Sequence, residues 1–186
     1  MIRMNATVAP KKFAHAVLRT KGRYDEMVQW YRTVLNARVV AQAPHMAFLS
    51  YDDEHHRIAI VNTPHASPRD PNAEGLDHLS FTYGSLAELL STYARLKAVG
   101  IEPFCPVNHG PTTSLYYNDP DGFRVELQID NLPMGTAQEF VDSPEGQANV
   151  VGVLIDPEEL LRRYEDGEPV RTLVTWEAWR QPEPAE

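Results

Sequence analysis

Residues 114–130 read SLYYNDPDGFRVELQID, and this stretch predicts two strands joined by a tight turn. The turn lies at 118–122, because proline presets one backbone angle of a turn and glycine accepts a positive φ. Beyond the turn, apolar and polar side chains alternate along a strand at 123–130. Glu126 belongs to the polar set, so its side chain points away from the apolar face of the strand. We therefore expect the Glu126 carboxylate to face a polar partner.

The elements around this hairpin follow a pattern that occurs twice along the chain. In the second copy, a strand at 76–83 precedes a helix that begins after Ser85 and is ended by Gly100; strands follow at 101–107, 114–118 and 123–130. In the first copy, the same order is a strand at 13–19, a helix at 24–36 and strands at 37–42, 46–51 and 56–63. The sequence thus predicts an α+β fold of paired βαβββ modules. They occupy 12–63 and 76–131 of one domain, 12–131, with a proline-rich linker at 64–75.

The chain continues beyond this domain with a segment of different character. Within 132–180, a short helix is expected in the polar stretch 135–147 and another at 157–164, after the N-terminal signal Asp156-Pro157. Trp176 and Trp179 are large apolar groups, so we expect this C-terminal extension to pack on the domain or on a partner subunit, with a homo-oligomer as the favoured assembly. Residues 181–186 are expected to form a disordered tail.

Composition narrows the classes of function. The formal net charge is −9 and no run of Lys or Arg occurs, which argues against nucleic acid as a partner and favours small molecules. No stretch has the length and apolarity of a membrane span or a secretion signal, so the predicted location is the cytoplasm, without membrane association. Cys105 is the one cysteine, which excludes an internal disulfide and a thiolate metal site.

Two histidines occupy positions comparable to that of Glu126. His78 belongs to the polar set of its strand, and His15 lies on the first strand of the first module as His78 lies on the first strand of the second. A lone histidine or glutamate on a strand is more often an exposed or hydrogen-bonded group than a ligand. Together, however, two histidines and one carboxylate form the facial triad suited to non-haem Fe(II), and Mn(II) accepts the same ligands.

The chain resembles a known family at several motifs. His15, His78 and Glu126 are separated by 63 (78 − 15) and 48 (126 − 78) residues. The strongest match comprises VNH at 107–109, LY at 115–116, DPDG at 119–122 and Glu126; further matches are HHRIA at 55–59 and GVLIDPEEL at 152–160. These motifs are similar to those of the type I extradiol ring-cleaving dioxygenases of the vicinal oxygen chelate superfamily, over most of 13–166. The resemblance implies the glyoxalase/bleomycin-resistance/dioxygenase fold, of the small one-domain kind.

The resemblance also implies an activity and its residues. The activity is cleavage of a catechol-type ring beside its hydroxyls by Fe(II) and dioxygen, a reaction of aromatic hydrocarbon catabolism, with His15, His78 and Glu126 as metal ligands. His56 is implied as the acid–base catalyst, and His109 and Tyr116 as hydrogen-bond donors to the substrate oxygens. His65, in the linker, is the competing candidate for the acid–base role.

The sequence offers other histidines and is compatible with other activities. His55 is expected to face away from the site because its strand parity is opposite to that of His56, and His45 is expected to have no role. One alternative is another metal-dependent enzyme of the superfamily, such as a glyoxalase-type lyase or an epimerase. The second is a metal-free binding protein of the bleomycin-resistance kind, which needs no triad. The substituents on the catechol ring are left open by the sequence.

Overall fold

The computed structural model describes residues 8–133 and 135–179. The tail predicted at 181–186 lies outside the described residues. The chain divides into two compact units, with the division between Pro68 and Arg69, inside the segment 64–75.

The first unit is a four-stranded sheet with one helix. Its elements are β1 (Ala16–Thr20), α1 (Tyr24–Val34), β2 (Arg38–Ala43), β3 (Met46–Ser50) and β4 (Ile58–Asn62), with the strand order β1-β4-β3-β2. β1 runs parallel to β4, and the other pairs are antiparallel. Helix α1 packs on β3 and β4 through Met27, Tyr31 and Val34, which recur at three- and four-residue intervals and are all buried.

The second unit repeats this order and adds the C-terminal extension. Its first elements are β5 (His78–Thr82), α2 (Leu86–Lys97), β6 (Cys105–Asn108), β7 (Thr112–Asn118) and β8 (Arg124–Asp130). The extension contributes α3 (Ala137–Asp142), α4 (Pro144–Ala148), β9 (Val153–Leu154), α5 (Pro157–Glu165) and α6 (Val170–Leu173). The five-stranded sheet has the order β5-β8-β7-β6-β9, so the short strand β9, which was not predicted, forms its edge. The fold class predicted from the sequence is confirmed.

The turn between β7 and β8 is fixed by one buried carboxylate. Oδ1 of Asp119 accepts hydrogen bonds from the backbone N–H groups of Asp121 (2.9 Å) and Phe123 (2.8 Å). Gly122 has φ = +77°, a left-handed conformation in which a side chain would be strained. The turn sets the register that places Tyr116 opposite Glu126. The DPDG motif therefore aligns two candidate site residues.

The extension is anchored on the sheet of the second unit. The indole N–H of Trp176 donates to the backbone oxygen of Asn108 at 2.9 Å, and the ring meets Phe140 edge-on. The side chain of Asn108, itself fully buried, donates to the backbone oxygen of Val174 at 2.8 Å. Trp179 donates to the backbone oxygen of Leu173 at 2.7 Å. Both tryptophans thus find partners within their own unit.

Several strands begin later than the sequence predicted, and two of these differences concern predicted site residues. β1 starts at Ala16 and β4 at Ile58, so His15 lies just before its strand, and His55 and His56 lie in the loop that leads into β4. The alternation of polar and apolar residues starts before the first residue that pairs with a neighbouring strand, and this explains the difference. In the described part of the chain, no helix has the length and apolarity needed to cross a membrane.

Candidate active site

The second unit brings together His78 and Glu126. β5 lies parallel to β8, and the two side chains reach across from neighbouring strands, with His78 Nε2 3.2 Å from Glu126 Oε2. Glu126 is 5% exposed, and a carboxylate at that depth requires partners. The sequence-based expectation of a polar partner for Glu126 is therefore confirmed.

Tyr116 is the second partner of Glu126. It is paired with Glu126 across β7 and β8, and its hydroxyl donates to Glu126 Oε1 at 2.9 Å. Burial, followed by the nearby charge of Glu126 and this hydrogen bond, raises the pKa of Tyr116 well above its ordinary value. The phenol consequently remains protonated and keeps its proton available for donation at physiological pH.

His109 continues this chain of contacts. Its Nε2 lies 3.1 Å from the Tyr116 hydroxyl, and its Nδ1 lies 2.5 Å from the backbone oxygen of Val151 in the extension. Four of the six predicted site residues are thus joined in one network, His78–Glu126–Tyr116–His109.

Asp77 supports this network from the opposite side of His78. Its Oδ2 lies 2.9 Å from His78 Nδ1, and its Oδ1 accepts from Arg124 at 3.1 Å. A carboxylate on Nδ1 fixes the ring orientation and leaves Nε2 for a metal, the usual arrangement of a histidine ligand. Sequence reasoning missed Asp77, although its position directly before a predicted ligand was a usable signal.

The first unit gathers a separate group of histidines. The ring centroid of His56 lies 4.3 Å from that of His15 and 4.4 Å from that of His55, and Phe48 covers His56 at 4.8 Å. Burial, followed by the charges of His15 and His55, lowers the pKa of His56 below its ordinary value. His56 is therefore held in its neutral form, in which it accepts a proton.

The expectation for His55 is wrong. Its Nδ1 lies 2.6 Å from the Nδ1 of His56, so it contacts the candidate catalyst instead of facing away. The parity argument assumed a strand at both positions, and neither residue is in one. His65 is exposed in a turn, and His45 is exposed, with its backbone oxygen bonded to the N–H of Asn62.

Arg57 braces the segment that carries His15. Its guanidinium donates to the backbone oxygens of Phe13 (2.6 Å) and Ala14 (3.0 Å), the two residues before His15. On its other side it forms an ion pair with Asp52, whose Oδ2 accepts from Nε at 2.9 Å. Sequence reasoning also missed this brace, because it joins residues more than 40 positions apart.

The predicted metal ligands are divided between the two units. His15 belongs to the first, and His78 and Glu126 belong to the second. Within the described part of each unit, no three His, Cys, Asp or Glu side chains come together as a metal-binding group. The donor types, imidazole nitrogen and carboxylate oxygen, suit a divalent first-row metal. The complete triad stays a prediction.

Comparison with known proteins gives this chain a family. The family model described as the Glyoxalase/Bleomycin resistance protein/Dioxygenase superfamily matches residues 12–127, a range that contains all six predicted site residues. This chain belongs to that superfamily.

Two curated members of the superfamily are similar to the chain over nearly its full length. Biphenyl-2,3-diol 1,2-dioxygenase 2 of Rhodococcus globerulus is 46% identical over 173 residues, covering 92% of this chain and 90% of the relative. Biphenyl-2,3-diol 1,2-dioxygenase 3 of the same organism is 44% identical over 178 residues, covering 93% and 91%. The relationship to extradiol ring-cleaving dioxygenases, predicted from the sequence motifs, is confirmed.

Solved structures of the superfamily support the fold. A lactoylglutathione lyase from Agrobacterium tumefaciens matches 64% of this chain and 94% of its own, with a TM-score of 0.52 and 22% identity. A putative glyoxalase from Bacillus halodurans matches 64% and 96%, with a TM-score of 0.55 and 16% identity. At these identities the likeness concerns the fold alone.

Proposed function

We propose that this chain opens the aromatic ring of a catechol-type substrate beside its hydroxyl groups and inserts both atoms of dioxygen into the product. The activity follows from the relationship to the biphenyl-2,3-diol dioxygenases. The observation that carries it in the structure is the network in which Tyr116 joins Glu126 to His109. A network of this kind serves a reaction in which oxygen atoms of a substrate lose and regain protons.

The proposed cofactor is Fe(II), held by His15, His78 and Glu126. When bound, Fe(II) supplies a Lewis acid that favours the ionised catechol and a route for electron density from the ring to dioxygen. Mn(II) accepts the same ligands, so metal replacement is part of the test.

His56 is the proposed base of the reaction. Catechol must lose a proton to chelate a metal, and a histidine kept neutral by burial and by its histidine neighbours is ready to take it. The same imidazole returns a proton as the ring opens.

Tyr116 and His109 have the complementary role toward the substrate oxygens. The raised pKa of Tyr116 keeps its proton in place, so the phenol donates a hydrogen bond to an ionised oxygen without losing the proton to it. Nε2 of His109 lies within hydrogen-bond distance of the same Tyr116 hydroxyl.

The test measures dioxygen and substrate together. Protein loaded anaerobically with Fe(II) is given a panel of catechols, beginning with biphenyl-2,3-diol, in an oxygen electrode. We expect one dioxygen consumed per catechol with no added reductant, because the ring supplies the electrons, and a yellow ring-opened product. Turnover of a thiol adduct or an acyl thioester without dioxygen would instead assign a lyase or epimerase activity.

The ligand set has its own test. Metal content is measured for the parent and for His78→Ala, and we expect the variant to lose the one metal ion bound per chain. An unchanged metal content would remove His78 from the site.

The assembly and location of the enzyme are also proposals. The extension exposes Val150, Val151 and Leu154 at 79%, 69% and 72%, an apolar surface that a second copy of the chain would cover. We expect light scattering to give the mass of a homo-oligomer. We expect fractionated cells to show the enzyme in the cytoplasm.

A further inference from the structure

The contact between His109 and the C-terminal extension determines where the imidazole carries its proton. A backbone oxygen only accepts hydrogen bonds, so the 2.5 Å contact with Val151 requires the proton on Nδ1 of His109. Nε2 then has a lone pair while the ring is neutral. This nitrogen lies 3.1 Å from the Tyr116 hydroxyl.

The loop that presents the Val151 oxygen is held by the side chain of Asn149. Oδ1 of Asn149 accepts from the backbone N–H groups of Val151 (3.2 Å) and Gly152 (3.0 Å), and Nδ2 donates to the oxygen of Gly152 (2.8 Å). Such Asn-centred turns are a stable local alternative to regular structure. The orientation of the Val151 oxygen therefore depends on one side chain.

Gly152 brings this loop into contact with the backbone at His109. It has φ = +105°, and a Cβ at this position would lie 2.3 Å from the backbone oxygen of Asn108 and 2.8 Å from Cα of His109. Only glycine allows so close an approach. Immediately afterwards β9 pairs with β6, with Val153 opposite Asn108, so the loop is fixed at its far end as well.

We propose that the extension selects the tautomer of His109, with Val151 as a positioning residue that acts through its backbone oxygen. Nε2 of neutral His109 then faces Tyr116 as a proton acceptor, and it becomes a donor only after the ring has taken up a proton. This inference rests on the proposed function, in which His109 acts on the reacting oxygens.

The selected tautomer has a consequence for Glu126. Tyr116 has one proton and two acceptors, Glu126 Oε1 and His109 Nε2. If Nε2 carried the proton, the phenol would be left to donate to Glu126 alone. With Nε2 as an acceptor, the phenol keeps its proton and can donate its hydrogen bond to His109 instead, which releases Glu126 Oε1 for a metal. The curated dioxygenases match 92% and 93% of this chain, so their similarity extends well into the extension that provides this control.

The tautomer is measured directly by NMR on the full chain, metal-free, with ¹⁵N-labelled histidine, at a pH where the rings are neutral. His109→Gln assigns the signals. We expect His109 of the parent to show a protonated Nδ1 and an unprotonated Nε2, whereas histidine free in water favours the opposite form. Val151→Ala is the matched control, since it removes an exposed side chain and keeps the backbone oxygen, and it should leave the tautomer unchanged.

Two variants disturb the loop. Asn149→Ala and Gly152→Ala should each move His109 toward the tautomer found in water. Asn149→Asp keeps the Oδ1 acceptor but loses the Nδ2 donor to Gly152, so it should move the tautomer less than Asn149→Ala does. In the Fe(II)-loaded enzyme, Asn149→Ala should lower kcat by about 10- to 100-fold, by analogy with groups that orient metal-ligating histidines, with little change in KM.

Two results would overturn the inference: a protonated Nε2 in the parent, or the parent tautomer retained in Asn149→Ala, which decides the question if Gly152→Ala does not fold. Failure of the proposed function would give a different result. The NMR spectrum would then show the expected tautomer of His109, whereas the Fe(II)-loaded protein would consume no dioxygen with any catechol.

Discussion

Replacement of Arg57 by methionine tests whether the brace next to His15 prepares a metal ligand. Arg57 donates two charge-assisted hydrogen bonds to the backbone oxygens of Phe13 and Ala14, and its side chain is only 18% exposed. Methionine preserves much of the apolar stem and removes every donor. The two residues before His15 would then lose their side-chain anchor, while the backbone pairing of Ala16 at the start of β4 remains.

The size of the effect follows from these two bonds. A hydrogen bond from a charged donor contributes about 1.5 to 3 kcal/mol net, and the freed backbone oxygens are near the surface and regain water, so we take the lower figure for each. We expect the free energy of unfolding to fall by about 3 kcal/mol. Because the brace orients a ligand, Fe(II) affinity should also fall by about 10- to 100-fold.

Urea unfolding and anaerobic Fe(II) competition against a chelator measure the two quantities. Arg57→Lys should give intermediate values, because an ammonium group keeps the charge and cannot reproduce the planar fork. Arg32→Met is the matched control, an exposed arginine on α1 of the same unit. The reasoning is refuted if Arg57→Met binds Fe(II) as tightly as Arg32→Met, since the brace would then contribute stability without positioning His15.

Further predictions concern the proposed catalysts and the orientation of His78. His56→Phe should retain its metal and bind catechol, but its turnover should be about 10²- to 10⁴-fold slower. The turnover of His65→Phe should stay within about tenfold of that of the parent. A large loss of turnover in His65→Phe would instead assign the acid–base role to His65. Since the neutral form of His56 is the base and its pKa lies below the ordinary 6.5, kcat/KM of the parent should rise with pH around a midpoint below 6.5, and a midpoint above that value would contradict the assignment. Tyr116→Phe removes the donor to Glu126 and should lower kcat by about 10- to 100-fold at unchanged metal content, so parental turnover would exclude a role for the hydroxyl. Asp77→Ala should weaken metal binding by about 10- to 100-fold in a chelator competition, and equal affinity would show that the carboxylate does not orient His78.

The elements of the fold could be predicted because their signals are local. Alternation reveals a half-buried strand and a three- to four-residue stripe reveals a helix, and both copies of the module show these patterns clearly. The ends of the strands were harder to predict, because His15 and His56 fit the alternation although main-chain pairing begins only at Ala16 and Ile58. The position of His55 was missed for the same reason, since strand parity has no meaning in a loop.

The supporting contacts of the site could not be predicted from local patterns. Arg57 meets Phe13 across 44 positions, and Val151 meets His109 across 42. The second contact involves a backbone oxygen, which every residue possesses and no sequence pattern marks. Residue types therefore indicated the chemistry, whereas only the tertiary structure revealed how each imidazole is oriented.

Burial affects one proposed catalytic residue in each unit. In the first unit, burial and neighbouring histidines keep His56 neutral, the form that can accept a proton. In the second unit, burial and the charge of Glu126 keep the phenol of Tyr116 protonated, the form that donates to an ionised oxygen. Desolvation acts on both groups and favours the uncharged form in each case. Because a neutral imidazole is a base and a neutral phenol is a donor, burial favours in each residue the form that its proposed role requires.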